Sequence, residues 1–348
     1  MTYSYLFFND YSEGMHPQIL EAFSQANFKQ ELGYGLDAFS KKAESIIKEK
    51  IKNPQAFVHF VSSGTQANTV LLASSLKSYE SIISAETGHI AVHETGALEA
   101  TGHKVVITPV KEGKLTPKAI QKVLIDHHDE HMVHPRIVYL SQSTELGTIY
   151  SLKELQKIYK LCQKENLYLY IDGARLGHAL TSKAADFDLQ DIANYSDAFS
   201  IGGTKNGALL GEAIVIVNVQ LQEKFRYYLK QHGALLAKGR ALGIPFIEFF
   251  NENLYFENAK HANQMAQKLA TGIKSQGYHF ASPPVTNQIF VIFPDQLIKK
   301  LQKKYGFYVW SKATSPKNSI VRFVTSWATE EKAVQMLLDD MKKNTHDE

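Results

Sequence analysis

The sequence is poor in the features that mark several large classes of protein. Its 348 residues hold a single cysteine, Cys162, which excludes an intrachain disulfide framework and stands in no Cys/His pattern of metal-binding spacing. No apolar run of roughly 18 residues occurs, and Met1 to Asp10 lack the basic start and long apolar stretch of a secretory signal. The expected setting is cytoplasmic, without a membrane partner. Charge of one sign is scarce as well, since 38 basic residues offset 35 acidic ones to a net +3 with no long single-sign run. Nucleic acid is therefore not an expected partner either. Internal repeats, low-complexity tracts and Pro/Ser-rich linkers are missing, so the parts of the chain are expected to pack closely together.

What the sequence does have is apolar material, 44% of residues, enough for a large domain and a smaller one. From about residue 55 to 218, short hydrophobic runs alternate with amphipathic segments, the pattern of a parallel α/β sheet covered by helices. The clearest predicted strands are Phe57–Val61, Arg136–Leu140, Leu167–Ile171 and Ala213–Val217. Thr116-Pro117 supplies an N-cap with proline at the first helical position. Ser151 and Glu154 form a capping box, and Leu155, Ile158, Tyr159 and Cys162 follow at helical spacing. Beyond Pro245 the pattern predicts one long helix over Glu248–Lys274, strands near Gln288–Ile292 and Ser319–Phe323, and a closing helix over about Thr329–Lys343. The expected division is residues 1–245, an N-terminal segment with the large domain, and 246–348, a small α+β domain. Ligands of open α/β sheets sit beyond the carboxyl ends of the strands, where a second domain can cover them.

Two residues point to a specific chemistry. Lys205 stands in the Gly-rich stretch Ser200-Ile201-Gly202-Gly203-Thr204-Lys205-Asn206-Gly207, and Asp172 closes the hydrophobic run that ends Ile171-Asp172-Gly173-Ala174-Arg175. Alone, the first reads as a surface turn and the second as the start of a loop. On the ends of neighbouring strands they are what pyridoxal phosphate requires: an amine for a Schiff base with the cofactor aldehyde, and a carboxylate that keeps the pyridine nitrogen protonated. Ser63-Gly64-Thr65 follows the first strong strand and opens a helix, whose free amides suit a phosphate. His89 is a candidate to stack on the pyridine ring, with His93 as its competitor.

The order and spacing of these segments resemble the threonine aldolase group of fold type I pyridoxal-phosphate enzymes, the β-eliminating lyase family. The resemblance runs over nearly the whole chain, from Asn9-Asp10-Tyr11-Ser12-Glu13-Gly14 and Leu32-Gly33-Tyr34-Gly35-Leu36-Asp37, through Ser63–Asn68, Gly88-His89-Ile90, Asp172–Arg175 and Gly203–Gly207, to Val321-Arg322-Phe323-Val324-Thr325. It implies an aspartate aminotransferase-like α/β fold. It also implies Lys205 for the Schiff base, Asp172 for the pyridine nitrogen, His89 on the ring, and Ser63, Gly64 and Thr65 at the phosphate. Arg175 and Arg322 would hold the carboxylate of an amino-acid substrate. A homodimer or homotetramer with shared active sites is implied too, with Tyr34 and the segment 230–240 crossing between subunits and Lys238 reaching the phosphate.

Two departures from the family pattern bear on the reaction. Many members carry a second histidine near the substrate's β-hydroxyl, where this chain has Ser141-Gln142-Ser143-Thr144-Glu145-Leu146-Gly147-Thr148, leaving Glu145, His89 or a water as the base. Asn9 replaces a frequent serine at the substrate carboxylate. The expected reaction is retro-aldol cleavage of a β-hydroxy-α-amino acid, such as threonine or allo-threonine, to glycine and an aldehyde. The alternatives are cleavage of phenylserine or β-elimination, then amino transfer, then ligand binding without turnover.

Overall fold

The computed structural model describes residues 3–313 and 315–345. A short strand, β1 (Tyr5–Leu6), precedes a seven-stranded sheet built from β2 (Phe57–Val61), β3 (Glu80–Ala85), β4 (Lys104–Thr108), β5 (His134–Ser141), β6 (Tyr168–Asp172), β7 (Ala198–Gly202) and β8 (Glu212–Ile216). Five more strands follow: β9 (His279–Phe280), β10 (Gln288–Pro294), β11 (Tyr305–Gly306), β12 (Tyr308–Lys312) and β13 (Asn318–Val324). The large sheet has the order β2-β8-β7-β6-β5-β3-β4, and the small antiparallel one β12-β13-β10-β9.

Both faces of the large sheet are buried, and the pleat divides them. Val138 and Leu140 of β5 join one apolar cluster, while Ile137 and Tyr139 join the cluster on the opposite face. Helices supply the rest of each layer, starting where the sequence signals them. Thr116 and Ser151 cap Pro117–Asp126 and Leu152–Lys164, the latter with a complete capping box, and Leu155, Ile158 and Cys162 are buried.

The large sheet is mostly parallel, as expected, with β8 the exception, antiparallel to both β2 and β7. The link from β7 to β8 holds a single 3-10 turn and no crossover helix, and so short a link returns the chain antiparallel. Strands buried on both faces read as continuous apolar runs in either direction, which hid this reversal. The helix expected over Glu248–Lys274 is two helices, Arg240–Asn251 and Leu254–Ser275, interrupted where Asn253 takes a left-handed conformation at φ 60°. Strands β3, β4 and β12 were not singled out from the sequence, and β3 is buried throughout although Glu80, Ser81 and Ser84 break its apolar run.

The first of those helices continues through Pro245, and its Phe246, Phe249 and Phe250 share the core of the large sheet. Farther along, Met265, Ala266, Leu269 and Ile273 share the core of the small sheet with Val321, Phe323, Leu337 and Phe7. Phe7 belongs to the N-terminal segment, which runs along the small sheet. β1 pairs in parallel with β11, and Val324 N donates to Phe7 O at 3.0 Å.

Candidate active site

β6 and β7 are parallel neighbours, so Asp172 at the end of one and Lys205 in the turn after the other emerge on the same edge of the sheet. Glycine lets the two ends approach. A Cβ on Gly173 would lie 1.9 Å from Ser200 O, and one on Gly202 would lie 2.2 Å from Ala174 O. Gly173 N donates to Ser200 Oγ at 2.8 Å, which fixes the spacing.

Asp172 is buried at 4% exposure and fully engaged. Its Oδ2 accepts from Tyr139 Oη at 2.6 Å and Asn68 Nδ2 at 2.9 Å, and its Oδ1 from Ala174 N at 2.9 Å. Burial pushes the carboxyl pKa up, but the nearby His89 and these hydrogen bonds outweigh it and hold the group below the usual carboxylate value. The network extends outward. Asn68 Nδ2 also donates to Glu94 Oε1 at 2.8 Å, which pairs with His89 Nδ1 at 2.7 Å, and Tyr170 Oη donates to Asn68 Oδ1 at 3.0 Å. On the other side of His89, its backbone N donates to Glu145 Oε1 at 2.9 Å, an atom that also accepts from Ser141 Oγ at 2.5 Å. Burial raises the Glu145 pKa, the negative Asp172 raises it further, and the Ser141 bond opposes both.

Lys205 makes no hydrogen bond or ion pair with any described residue. Burial lowers its pKa, and the charge of Arg175 lowers it further, against the pull of Asp10, Glu212 and Asp172. An amine so placed loses its proton, and becomes nucleophilic, more readily than an exposed lysine. Gly64 is the first residue of the helix Gly64–Ser74, with Ser63 as N-cap accepting from Gln66 N at 3.3 Å. A Cβ at Gly64 would meet nothing within 4 Å, so the helix end is open to a ligand approaching its amides. A buried anionic carboxylate, an unpaired half-buried amine and an open helix N-terminus, all lining one small inner cavity, fit pyridoxal phosphate.

A larger cavity of about 540 Å³ adjoins the inner one and shares His89, Glu145, Arg175 and Lys205 with it. Its outer wall comes from the small sheet. Arg322 stands on β13 with its guanidinium 4.7 Å from the Trp310 ring centre and 5.3 Å from that of Tyr308. Its one hydrogen bond among described residues runs from Nη2 to Phe8 O at 3.3 Å, and Nε is buried without a partner. Burial and then the like charge of Arg175 bring its pKa down to about 10. Arg175 differs, since Nε and Nη2 are clamped by Asp10 at 2.7 and 3.0 Å.

The structure thus brings Lys205, Asp172, His89, Glu145, Gly64, Arg175 and Arg322 to one cleft. Ser63 and Thr65 flank Gly64 without lining either cavity. Asn9 lines neither, and its Oδ1 is turned to its own loop, accepting from Tyr11 N and Ser12 Oγ. Lys238 is exposed and lines neither cavity of its own chain. Sequence reasoning assigned no role to Asp10, Asn68, Glu94 or Tyr139. Asp10 and Asn68 lay inside motifs already singled out and Glu94 stands five residues after His89, whereas Tyr139 is spelled like any aromatic in a buried strand. Among described residues no cluster suited to a metal ion occurs, and no helix is long and apolar enough to cross a membrane.

Comparison with known proteins agrees with this geometry. The sequence profile of the beta-eliminating lyase family matches residues 10–296. A low-specificity L-threonine aldolase of Pseudomonas sp. (strain NCIMB 10558) is 33% identical over 340 residues, 97% of this chain and 96% of that one. Among solved structures, a threonine aldolase of Leishmania major superposes with a TM-score of 0.96 at 43% identity, over 98% of this chain and 99% of that one. An aspartate aminotransferase of Thermus thermophilus, 14% identical with a TM-score of 0.73 over 98% of this chain and 91% of that one, shares the fold alone. A fold type I architecture, a site that fits pyridoxal phosphate and a matching profile over most of the length place this chain in the beta-eliminating lyase family of pyridoxal-phosphate enzymes.

Proposed function

We propose that this protein cleaves β-hydroxy-α-amino acids, threonine among them, to glycine and an aldehyde. The observation that carries this reading is the placing of Arg322, a guanidinium without an ion pair among the described residues, in the lining of one cavity with the unpaired amine of Lys205 and the imidazoles of His89 and His93. A zwitterionic amino acid matches that layout, its carboxylate toward Arg322 and its amino end toward Lys205. The threonine aldolases of Pseudomonas and Leishmania major, similar over nearly the full length, support the same reading.

Bound pyridoxal phosphate supplies an aldehyde for the amine and a conjugated ring that takes up the electron pair of the broken bond. In this chain Asp172 would hold a proton on the ring nitrogen, and the amides at Gly64, flanked by Ser63 and Thr65, would hold the phosphate. His89, fixed by Glu94 through Nδ1 and by Glu145 through its backbone N, presents a rigid ring where the pyridine would stack. Arg322 offers a planar two-point fork to the carboxylate, and Arg175, oriented by Asp10, adds positive charge beside it. Holding a substrate at both ends sets the Cα–Cβ bond relative to the ring, and so selects the bond that breaks.

A homo-oligomer, a dimer or tetramer, would complete each site with Lys238 of a neighbouring copy. Tyr34 and Leu36 are half-exposed near that segment, with Lys230 stacked 4.8 Å over the Tyr34 ring. A buried, unpaired Cys162 is compatible with a cytoplasmic setting. The deciding experiment is product analysis of purified protein with threonine. Glycine with acetaldehyde is expected, whereas a 2-oxo acid, or amino transfer that depends on a keto acid, would replace this reading with elimination or transamination.

A further inference from the structure

Retro-aldol cleavage needs a base for the β-hydroxyl proton, and the loop after β5, Gln142 to Thr148, holds no histidine. We infer that His93 is that base, an inference that rests on the cleavage reaction proposed above. His93 lines the outer cavity and not the inner one, on the side where Arg322 and Trp310 stand. Its ring meets Trp310 edge-on at 5.8 Å between centres and lies 5.6 Å from the ring of His89. Neither ring nitrogen bonds to any described residue. Of the side chains named earlier for this role, His89 is held by Glu94 through Nδ1, and Glu145 Oε1 accepts from both His89 N and Ser141 Oγ.

The imidazole is also in the right form. Partial burial lowers the His93 pKa, and the neighbouring His89, Arg322 and Arg175 lower it further, which favours the neutral ring with a lone pair to offer. Lys205, Glu145, Tyr11 and Tyr308 are the other titratable side chains that line this cavity. In the proposed step the β-hydroxyl gives its proton to a His93 ring nitrogen, and its oxygen becomes the aldehyde oxygen as the Cα–Cβ bond breaks. The electron pair of that bond stays with Cα, which takes up one proton to become glycine, while His93 returns its proton to solvent. Atoms and charge balance without a further reactant.

The test uses a reaction of the same site that has no hydroxyl. Glycine exchanges its α-proton with solvent deuterium through the same bound amino acid and the same electron sink, but needs no β-hydroxyl base. In the holoenzyme, His93→Gln and His93→Phe are expected to lower kcat for threonine cleavage by roughly a hundredfold to a thousandfold. Glycine exchange, followed by NMR, should stay within about threefold of wild type, as should the dissociation constants of glycine and threonine read from the cofactor absorbance. Cleavage within about threefold of wild type in both variants would overturn the assignment, and so would a parallel fall of cleavage and exchange. Wild type that exchanges glycine but releases no aldehyde from threonine would sink the cleavage reading instead, which keeps the two failures apart.

Discussion

At the inner end of the cleft Asp172 accepts three hydrogen bonds and sits in a chain of contacts running through Tyr139, Asn68, Glu94 and His89. At the outer end Arg322 lies over two aromatic rings, makes one weak hydrogen bond to a carbonyl and keeps a buried Nε without a partner. The first arrangement holds a charge in place by many directed bonds, and suits a group that stays. The second leaves positive charge uncompensated by the protein, and suits an anion that comes and goes. Arg175 lies between, half committed to Asp10. The lesson is that stability and ligand affinity are separated along one cleft.

This contrast can be attacked at each point. The largest effect should come from Lys205→Ala, which removes the attachment point itself. Turnover should disappear, together with the mass increase seen after borohydride reduction of the cofactor-loaded protein. Normal turnover in that variant would end the assignment.

Next in size is Asp10→Ala, which leaves Arg175 buried without its partner and should cost about 3–5 kcal/mol of unfolding free energy in denaturant titration. The acid dependence has a definite sign. Burial works to raise the Asp10 pKa, but the charge of Arg175 outweighs it and holds the value at about 2, against an ordinary 3.8. The pair therefore stabilises fully above the ordinary value, and that contribution is lost as pH falls toward about 2. Asp10→Asn should flatten this limb of the stability curve, and an unchanged curve would show that the pair adds nothing.

Asp172→Asn and Arg322→Ala form a crossed pair. The first should weaken cofactor binding by about 1.5–3 kcal/mol, roughly tenfold to a hundredfold in Kd by absorbance titration. The second should leave that Kd unchanged and lower kcat/KM for threonine by a similar factor, with Arg322→Lys recovering only part. If both variants lost cofactor equally, the two ends would not be distinct. The smallest effect belongs outside the cleft: Ser151→Ala removes a helix cap, should cost about 1 kcal/mol in thermal unfolding, and should leave kcat alone.

Legibility from the sequence followed the same division. Strand β5, the capped helices and the loop carrying Lys205 could be read because each is specified by neighbours in sequence. The direction of β8 could not, since an apolar run buried on both faces looks alike either way. The break at Asn253 was hidden because apolar residues run on through Phe249, Phe250, Leu254 and Tyr255 on both sides, although Asn251 and Asn253 are residues that readily leave a helix. In the site, Lys205, Asp172 and His89 were legible as motif residues. The roles of Asp10, Asn68 and Tyr139 were not, because the separation of 165 residues between Asp10 and Arg175, or 104 between Asn68 and Asp172, is set by the fold and not by any local pattern. The engagement of Arg175 by Asp10 is likewise invisible until the chain is folded.

The N-terminal segment has a consequence for how the molecule is made. Tyr5 pairs with Tyr305, Asp10 Oδ2 accepts from Asn287 Nδ2 across 277 residues, and Phe8 O accepts from Arg322 across 314. These residues leave the ribosome long before the partners they pair with. The large sheet can assemble around its own local contacts while synthesis continues, but the clamp on Arg175 has no backing from Asn287, and Arg322 does not yet exist, until nearly the whole chain has emerged. A nascent chain stalled after β8 would hold Lys205 and Asp172 on adjacent strands and still lack the wall that receives a substrate.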